Sequence, residues 1–297
     1  MRILKPKSGF IVLLIDIPKK DRWFCLNKFG TLPECSTREA FCILNHKGPG
    51  HKKMQFAVKT DTGKFRDRNE DLYYFDTQLQ LFAIADGMSG HDRGDIASRL
   101  ALEVIQEWAE TQASPQSDLG PMKRLGVLSE LAEEANQRIY TATESRGKGR
   151  GMGTTLIAGF VTFSYLAYVH VGDSRLYVLR DEELTQITTD DSFVQKMVEK
   201  GEITPEEGRV HEKRNIITQA IGLKSTVAVN ADAYPLVPGD IVLACTDGLH
   251  DLIIDDREIA DIILAAADIE AACEALVDKA LDYGGTDNVT VLLIAVD

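Results

Sequence analysis

The sequence predicts an α+β fold: a four-layer α/β/β/α sandwich, with two central antiparallel sheets flanked by helix pairs. Strand patterns and helix patterns come in separate batches along the chain, which favours α+β over a parallel βαβ arrangement. The connections between successive strand patterns are tight, as expected of antiparallel neighbours. Nine strand patterns favour two sheets, and two pairs of amphipathic helices are available to cover the outer faces.

Each strand is predicted from a short run that is rich in β-branched, aromatic and aliphatic residues. The alternation of Gln55-Phe56-Ala57-Val58-Lys59-Thr60 is typical of a strand with one face buried. The predicted strands cover about 54–60, 72–76, 79–86, 154–163, 165–172, 175–180, 226–234, 240–246 and 288–296.

Four longer segments carry the spacing of amphipathic helices, at about 92–111, 122–145, 255–266 and 268–282. The first predicted helix has an apolar face that consists of Ile96, Leu100, Val104, Ile105 and Trp108. The strands are interrupted by a glycine-rich, basic loop at 145–153 and by a polar stretch with a short helix at 191–222.

Composition and charge narrow the class of protein. The 297 residues are 44% hydrophobic and 27% charged, as in an ordinary globular protein. The formal net charge of -13 argues against a nucleic-acid partner. No apolar run approaches the roughly 20 residues that cross a bilayer, and the five cysteines form no C-x-x-C pair. We expect a cytoplasmic monomer without a membrane span.

Residues 1–53 differ from the rest, and we predict a domain boundary between them and the main domain at 54–297. They carry eleven Lys and Arg against four Asp and Glu, a net of +7, which leaves -13 - 7 = -20 for the main domain. Three interpretations stay open: a loosely ordered extension, a small added element, or a segment upstream of a natural start at Met54. No standard zinc spacing is matched by Cys25, Cys35, Cys42, His46 and His51.

Acidic residues stand where apolar, strand-like runs end or begin. Asp86, Asp173 and Asp247 each follow such a run. Asn69-Glu70-Asp71 precedes another, and Asp287 precedes the last one. Unpaired carboxylates gathered in one place repel one another and are costly to remove from water. A hard divalent cation relieves that cost, so the pattern predicts a hydrolytic site centred on Mg²⁺ or Mn²⁺.

The residue types suggest a division of roles at this site. Gly87 allows a close approach of its carbonyl to a cation, and Asp86 before it can bridge two ions. Glu70 is a natural ligand of the second ion, whereas Asp71 would point the other way and orient a water molecule. Arg66 can make a bidentate contact with phosphate. Two ions about 3.5–4 Å apart would lower the pKa of a bridging water, which attacks phosphorus without a phosphoenzyme.

A series of short motifs runs through residues 54–297. They are Thr60-Asp61-Thr62-Gly63 with Arg66 and Asn69-Glu70-Asp71, Ala85-Asp86-Gly87-Met88-Ser89-Gly90-His91, Gly153-Thr154-Thr155, Val171-Gly172-Asp173-Ser174-Arg175, Arg214-Asn215-Ile216-Ile217-Thr218-Gln219-Ala220-Ile221-Gly222, Cys245-Thr246-Asp247-Gly248-Leu249 and Gly285-Thr286-Asp287-Asn288-Val289-Thr290. In order and spacing they resemble the metal-dependent type 2C serine/threonine protein phosphatases, the PPM family, in their compact bacterial form.

The resemblance implies a bacterial signalling enzyme that uses Mn²⁺ or Mg²⁺ to dephosphorylate phosphoserine and phosphothreonine in proteins. Its partners would be phosphorylated substrates of a Ser/Thr kinase. Arg66 would bind the phosphate, and the stretch 191–222 would form a flap that tunes substrate access. Asp173 with Asp247 would hold a more weakly bound third ion, which is typical of bacterial members.

The resemblance also assigns the ligands of the two main ions. The first ion would be held by Asp86, Asp247 and Asp287. The second would be held by Glu70, Asp86 and the carbonyl of Gly87.

Two positions depart from the family pattern. Ser89 stands where members usually have Gly, and Met88 stands where eukaryotic members carry a proposed general-acid His. His91 is nearby, but a packing or capping role is an equal alternative, and metal-bound water is another source of the proton.

Two rival functions fit the sequence less well. A catalytically silent relative that binds phosphoproteins would have lost ligand residues, and all of them are present in the sequence. A receiver-like phospho-acceptor centred on Asp86 is disfavoured, because the strands come in antiparallel batches and no late Lys ends a strand.

Overall fold

The computed structural model describes residues 39–47, 53–89, 93–112, 120–145 and 151–297. In chain order the elements are β1 (Glu39–Lys47), β2 (Lys53–Asp61), β3 (Asp71–Asp76), β4 (Leu81–Ser89), α1 (Gly94–Glu110), α2 (Pro121–Glu144), β5 (Met152–Thr154), β6 (Leu156–Val161), β7 (Tyr165–Val171), β8 (Arg175–Arg180), β9 (Glu183–Gln186), α3 (Phe193–Glu199), α4 (Pro205–Arg209), β10 (Asn230–Pro235), β11 (Ile241–Cys245), α5 (Asp247–His250), α6 (Asp256–Ala265), α7 (Ile269–Asp282) and β12 (Val289–Val296).

The described strands form two sheets, and every pairing within them is antiparallel. The first sheet has the order β1-β2-β12-β11-β8-β9, and the second has the order β10-β7-β6-β4-β3 with β5 beside β4. Helices α6 and α7 cover the first sheet, and α1 and α2 cover the second. The predicted four-layer sandwich is confirmed. Within the described ranges, no helix combines the length and the apolar character needed to span a membrane.

Strand β4 shows how the alternation of side chains produces separate apolar layers. Leu81, Ala83 and Ala85 face α1 and α2, whereas Phe82 and Ile84 face the first sheet. Both faces of β12 are buried in the same way, which explains its continuous apolar sequence. The space between the sheets is therefore a distinct core, and the candidate site lies at one end of it.

Two predicted strands have different bounds in the structure, and one strand was not predicted. The predicted strand at 154–163 is divided into β5 and β6 at Thr155, where the N–H of Asp86 donates to the side-chain hydroxyl of Thr155 at 3.0 Å instead of to its backbone carbonyl. The strand predicted at 226–234 begins only at Asn230. The sequence did not predict β9, because this short edge strand consists mainly of exposed or partly exposed polar residues.

Strand β1 lies within the basic N-terminal segment. It pairs with β2 along its whole length, from Glu39 opposite Asp61 to Lys47 opposite Lys53. Residues 39–47 therefore add an edge strand to the first sheet. Residues 1–38 and 48–52 lie outside the described residues. So do the side chains considered above for a zinc site: Cys25, Cys35, Cys42, His46 and His51.

Candidate metal centre

The candidate site lies where the apolar core between the sheets gives way to polar side chains. In β4 the face that carries Ile84 continues to Asp86, and in β3 the face that carries Tyr73 begins at Asp71. Asp71 and Asp86 are direct partners in the β3–β4 ladder. Strand alternation and register thus bring two carboxylates to the same point.

The first sheet supplies a layer of hydroxyl groups beneath Asp71. Its Oδ2 accepts hydrogen bonds from the hydroxyls of Thr246 at 2.9 Å and Thr290 at 2.7 Å. The hydroxyls of Thr60 and Thr290 lie 2.7 Å apart and extend this layer. Asp71 is only 2% exposed, and burial is the main cause that raises its pKa to about 7. These contacts fix one oxygen of Asp71 and leave the other for a further partner.

The other aspartates form one electrostatic group with Asp71. Burial, followed by repulsion from Asp71, Asp247, Asp173 and Asp287, raises the pKa of Asp86 well above its usual range. Burial and then repulsion from Asp173 and Asp287 raise the pKa of Asp247 in the same way. Burial also raises the pKa of Asp173 to about 6. A divalent cation would reverse these shifts, because it favours the charged form of each carboxylate.

Three buried oxygens in this group have no hydrogen-bond partner: Oδ1 of Asp71, Oδ1 of Asp173 and Oδ1 of Asp247. Buried polar atoms are nearly always paired, so three such oxygens in one place indicate a missing partner of positive charge. An all-oxygen donor set fits Mg²⁺ or Mn²⁺. Among the described residues, however, no three acidic, His or Cys side chains are grouped closely enough to hold an ion as they stand.

Glu70 points away from Asp71 and toward the start of α1. Its Oε1 accepts a hydrogen bond from the N–H of Gly94 at 3.1 Å, and burial is the main cause that raises its pKa. The carbonyl of Glu70 accepts from the N–H of Gly87 at 3.2 Å and from the hydroxyl of Ser98 at 2.7 Å. Glycine is required at position 87, since a Cβ there would lie 2.3 Å from the carbonyl oxygen of Gly94. The backbone thus holds Glu70 and Gly87 together at the rim.

Arg66 brings positive charge to the exposed edge of the group. Its guanidinium donates to Oδ2 of Asp287 at 2.6 Å, and its side chain is 52% exposed. Burial alone would lower the pKa of Arg66. The charge and hydrogen bond of Asp287, together with the charges of Asp86 and Asp247, have a larger effect, so the pKa is raised. Arg66 therefore places a positive charge at the exposed edge of the acidic group.

Asn288 connects separate segments of the site, and the sequence analysis did not assign it a role. Its side-chain amide donates to the carbonyls of Thr62 and Arg68, each at 2.9 Å. Its side-chain oxygen accepts from the N–H of Glu70 at 2.8 Å. The loop that carries Glu70 is thus fixed to the start of β12. The sequence signal that could have found it is the position of Asn288 between the candidate ligand Asp287 and the last apolar run.

The structure brings all the predicted site residues to one end of the sandwich: Asp71, Asp86, Asp173, Asp247, Asp287, Glu70, Gly87 and Arg66. The Asp287 carboxylate lies with Arg66 at the exposed edge, since its side chain is 33% exposed. His91 lies outside the described residues. The supporting threonines were missed, although Thr246 and Thr290 each occupy the strand face that points between the sheets.

Comparison with known proteins supports this description. The family model for protein phosphatase 2C matches residues 66–282. The chain is 34% identical over 245 residues to the serine/threonine phosphatase stp of Listeria welshimeri, covering 81% of this chain and 95% of that protein. It is 38% identical over 243 residues to the serine/threonine protein phosphatase PstP of Mycobacterium tuberculosis, covering 81% of this chain and 44% of that protein.

Solved structures share the fold. The crystal structure of PstP from Mycobacterium tuberculosis has a TM-score of 0.74 and 36% identity, and the match covers 82% of this chain and 99% of that chain. A structure of the PstP catalytic domain in complex with two manganese ions has a TM-score of 0.71 and 36% identity, covering 82% of this chain and 98% of that chain. The motifs, the fold and these matches agree, and the chain belongs to the protein phosphatase 2C family.

Proposed function

We propose that this protein is a Mn²⁺- or Mg²⁺-dependent phosphatase that hydrolyses phosphoserine and phosphothreonine in proteins. The observation that carries the proposal is the meeting of aspartates with unpartnered buried oxygens at one end of the core, with the Arg66 guanidinium at their edge. Family membership supports the same activity, because relatives are named serine/threonine phosphatases and one solved relative contains two manganese ions.

The ligand assignment is part of the proposal. Asp86, Asp247 and Asp287 would hold the first ion, and Glu70, Asp86 and the carbonyl of Gly87 would hold the second. Bound ions would activate the attacking water and neutralise charge on the phosphoryl group. The mutual repulsion among these carboxylates supports the assignment, because a cation removes it.

The remaining residues would position the substrate and the water. Arg66 would exchange its contact with Asp287 for a bidentate contact with the phosphate. Asp71 would orient the attacking water through the oxygen that Thr246 and Thr290 leave free. Because both threonines hold the other oxygen, Asp71 is fixed in direction before the substrate arrives.

A third, more weakly bound ion is proposed between Asp173 and Asp247. Each of these residues has a buried Oδ1 without a hydrogen-bond partner, which supports a shared cation. We further propose that the protein acts as a cytoplasmic monomer in bacterial signalling, on the substrates of a Ser/Thr kinase. The bacterial sources of its named relatives support this setting.

The test is a phosphatase assay with para-nitrophenyl phosphate, a phosphothreonine peptide and a phosphotyrosine peptide. With Mn²⁺ we expect turnover of the first two and little turnover of the third, and we expect a chelator to abolish it. Full activity in the presence of chelator, or none with Mn²⁺, contradicts the proposal. Tight binding of the phosphothreonine peptide without turnover would instead favour the silent, phosphoprotein-binding alternative.

A further inference from the structure

The polar stretch 191–222, called the flap below, is closed at its base. It contains α3 and α4 and leads from β9 toward β10. The N–H of Phe193 donates to the carbonyl of Ile216 at 2.7 Å, and the N–H of Thr218 donates to the carbonyl of Asp191 at 2.7 Å. The two ends of the flap therefore meet at Asp191.

Asp191 uses its backbone and its side chain at this junction. The carboxylate accepts hydrogen bonds from the N–H of Gly172 at 3.0 Å and from the side-chain amides of Gln219 at 3.1 Å and Asn230 at 3.2 Å. Its own N–H donates to the carbonyl of Gly172 at 2.9 Å. Its carbonyl also accepts from the hydroxyl of Thr218 at 2.9 Å. One residue thus joins β7, both ends of the flap and β10.

Gly172 connects this junction to the metal centre, because it directly precedes Asp173. Its φ is +105°, and a Cβ at this position would lie 2.7 Å from Cγ2 of Thr155. The turn therefore has one narrow conformation, and Asp191 holds it through both the N–H and the carbonyl of Gly172. On the other side, the ring of His250 lies 3.1 Å from the carbonyl of Asp173. The backbone on both sides of the Asp173 side chain is therefore held, by Asp191 at Gly172 and by His250 at the Asp173 carbonyl, and the direction of the carboxylate depends on these contacts.

We propose that Asp191 is a positioning residue that couples the flap to the metal-facing carboxylate of Asp173. The proposal rests on the proposed function, because it gives Asp191 a part in that reaction. The bonds that close the base of the flap and those that set the Asp173 turn share one side chain. Loss of that side chain's charge loosens both together.

A contact in the middle of the flap offers a matched comparison. Arg209, at the end of α4, donates to the carbonyl of Ile254 at 2.6 Å and to the carboxylate of Asp256 at 2.8 Å. These bonds hold the flap on the start of α6, and they do not involve Gly172 or Asp173. Loss of the Arg209 contacts should free the flap without disturbing the metal centre.

The experiment compares Asp191→Asn, Arg209→Gln and Asp232→Asn with the wild type. Asp232 is an exposed aspartate of β10, and it controls for the loss of one surface charge. Asp191→Asn replaces one carboxylate oxygen by an amide NH₂, which cannot accept hydrogen bonds from Gly172, Gln219 and Asn230. We expect Mn²⁺ affinity in calorimetry to fall about tenfold, as is typical when a group supporting a ligand is changed. We also expect faster tryptic cleavage at Lys196, Lys200 and Lys213.

The controls separate coupling from general loosening. Arg209→Gln should accelerate cleavage with Mn²⁺ affinity unchanged, and Asp232→Asn should change neither. In a background of Asp173→Asn, the Asp191→Asn change should cause no further loss of Mn²⁺ affinity, because the two residues act through the same contact. Independent, additive losses overturn the proposal, as does wild-type Mn²⁺ affinity in Asp191→Asn.

A milder variant and the activity of the wild type distinguish a folding defect from a failure of the coupling. If Asp191→Asn does not fold, Asn230→Ala removes one exposed donor to the same carboxylate and should give a smaller effect in the same direction. Wild-type phosphatase activity decides the proposed function separately. If the wild type is active but Asn230→Ala and Asp191→Asn keep its Mn²⁺ affinity and its rate of tryptic cleavage, the coupling is wrong and the proposed function stands.

Discussion

The two ends of strand β11 carry aspartates with opposite surroundings. Asp240, just before the strand, is 1% exposed, and its oxygens accept from Arg180 at 2.8 and 2.7 Å and from the N–H of Val237 at 2.7 Å. Asp247, just after the strand, has a buried Oδ1 without a hydrogen-bond partner. Burial is the main cause that raises its pKa, and repulsion from neighbouring carboxylates adds to the rise. The same residue type is thus fully paired at one end and left in repulsion at the other.

This difference separates a structural carboxylate from a functional one. A buried charge with a bidentate Arg and a backbone donor is satisfied within the fold, and removal of one partner destabilises the folded state. A buried carboxylate without a cation makes the folded state less stable, so its presence requires another explanation. At the Asp247 end, the metal ion proposed above supplies that explanation.

The largest effect expected from this comparison is on activity. Asp247→Asn should lower kcat/KM by about a thousandfold, because a ligand of the proposed metals loses its charge. Its unfolding free energy in chelator should not fall, since a repelling charge has been removed. Activity and urea unfolding of the same preparations measure the two effects.

The matched variant Asp240→Asn should show the reverse. It leaves the Arg180 guanidinium without a charged partner, so the unfolding free energy should fall by about 2 kcal/mol while activity stays near wild type. Similar activity losses in both variants would remove the distinction between the two ends of β11.

The next effect is the pH dependence of stability without divalent cations. The pKa values of Asp71 and Asp173 are raised to about 7 and about 6, chiefly by burial. In the unfolded chain an Asp loses its proton near pH 3.9, so between about pH 4 and 7 the folded state holds more protons. Stability is then greatest at the acidic end of this window and decreases as the pH rises.

In chelator we expect the unfolding free energy to fall by on the order of 5 kcal/mol between pH 4.5 and pH 7.5, as these two shifts together imply. Saturating Mn²⁺ should reduce that fall, because metal binding favours the deprotonated carboxylates. Urea unfolding at several pH values, with and without Mn²⁺, gives both results. A rise in stability with pH in chelator would contradict the burial of unpaired carboxylates.

A smaller effect is expected at the exposed edge of the site. Arg66→Lys keeps the charge but loses the planar pair of donors, so kcat/KM for a phosphothreonine peptide should fall by about tenfold. Arg68→Lys, in the same loop and also exposed, is the matched control and should be near neutral. Equal effects in the two variants would argue against a specific phosphate contact of Arg66.

The smallest effect concerns the hydroxyl layer. Thr290→Val removes a donor to Asp71 from a fully buried position, and the unfolding free energy should fall by about 1 kcal/mol. Thr185→Val, on the exposed edge strand β9, makes the same chemical change without a buried partner and should be neutral. Equal stability of Thr290→Val and wild type would show that the hydroxyl does not support Asp71.

Much of this arrangement was predictable from the sequence, because strand alternation is local information. The apolar run before Asp247 predicted where β11 ends, whereas β4 continues past Asp86 to Ser89. The batches of strands and helices predicted the layers. The residues that follow such runs were therefore recognisable as members of one site.

The supporting contacts were not predictable, because they depend on pairing between distant segments. Thr246 and Asp71 are separated by 175 residues, and Asn288 and Glu70 by 218. Their hydrogen bonds follow from the order β2-β12-β11 and from the packing of the two sheets, neither of which the local pattern specifies. The pairing at Asp191 depends in the same way on where the ends of the flap meet.

Calorimetric titration with Mn²⁺ tests the central claim most directly, and it should include the wild type, Asp247→Asn and Asp240→Asn. The account predicts at least two bound Mn²⁺ ions per chain in the wild type, the same binding in Asp240→Asn, and loss or strong weakening of binding in Asp247→Asn. No binding to the wild type, or unchanged binding in Asp247→Asn, would contradict it.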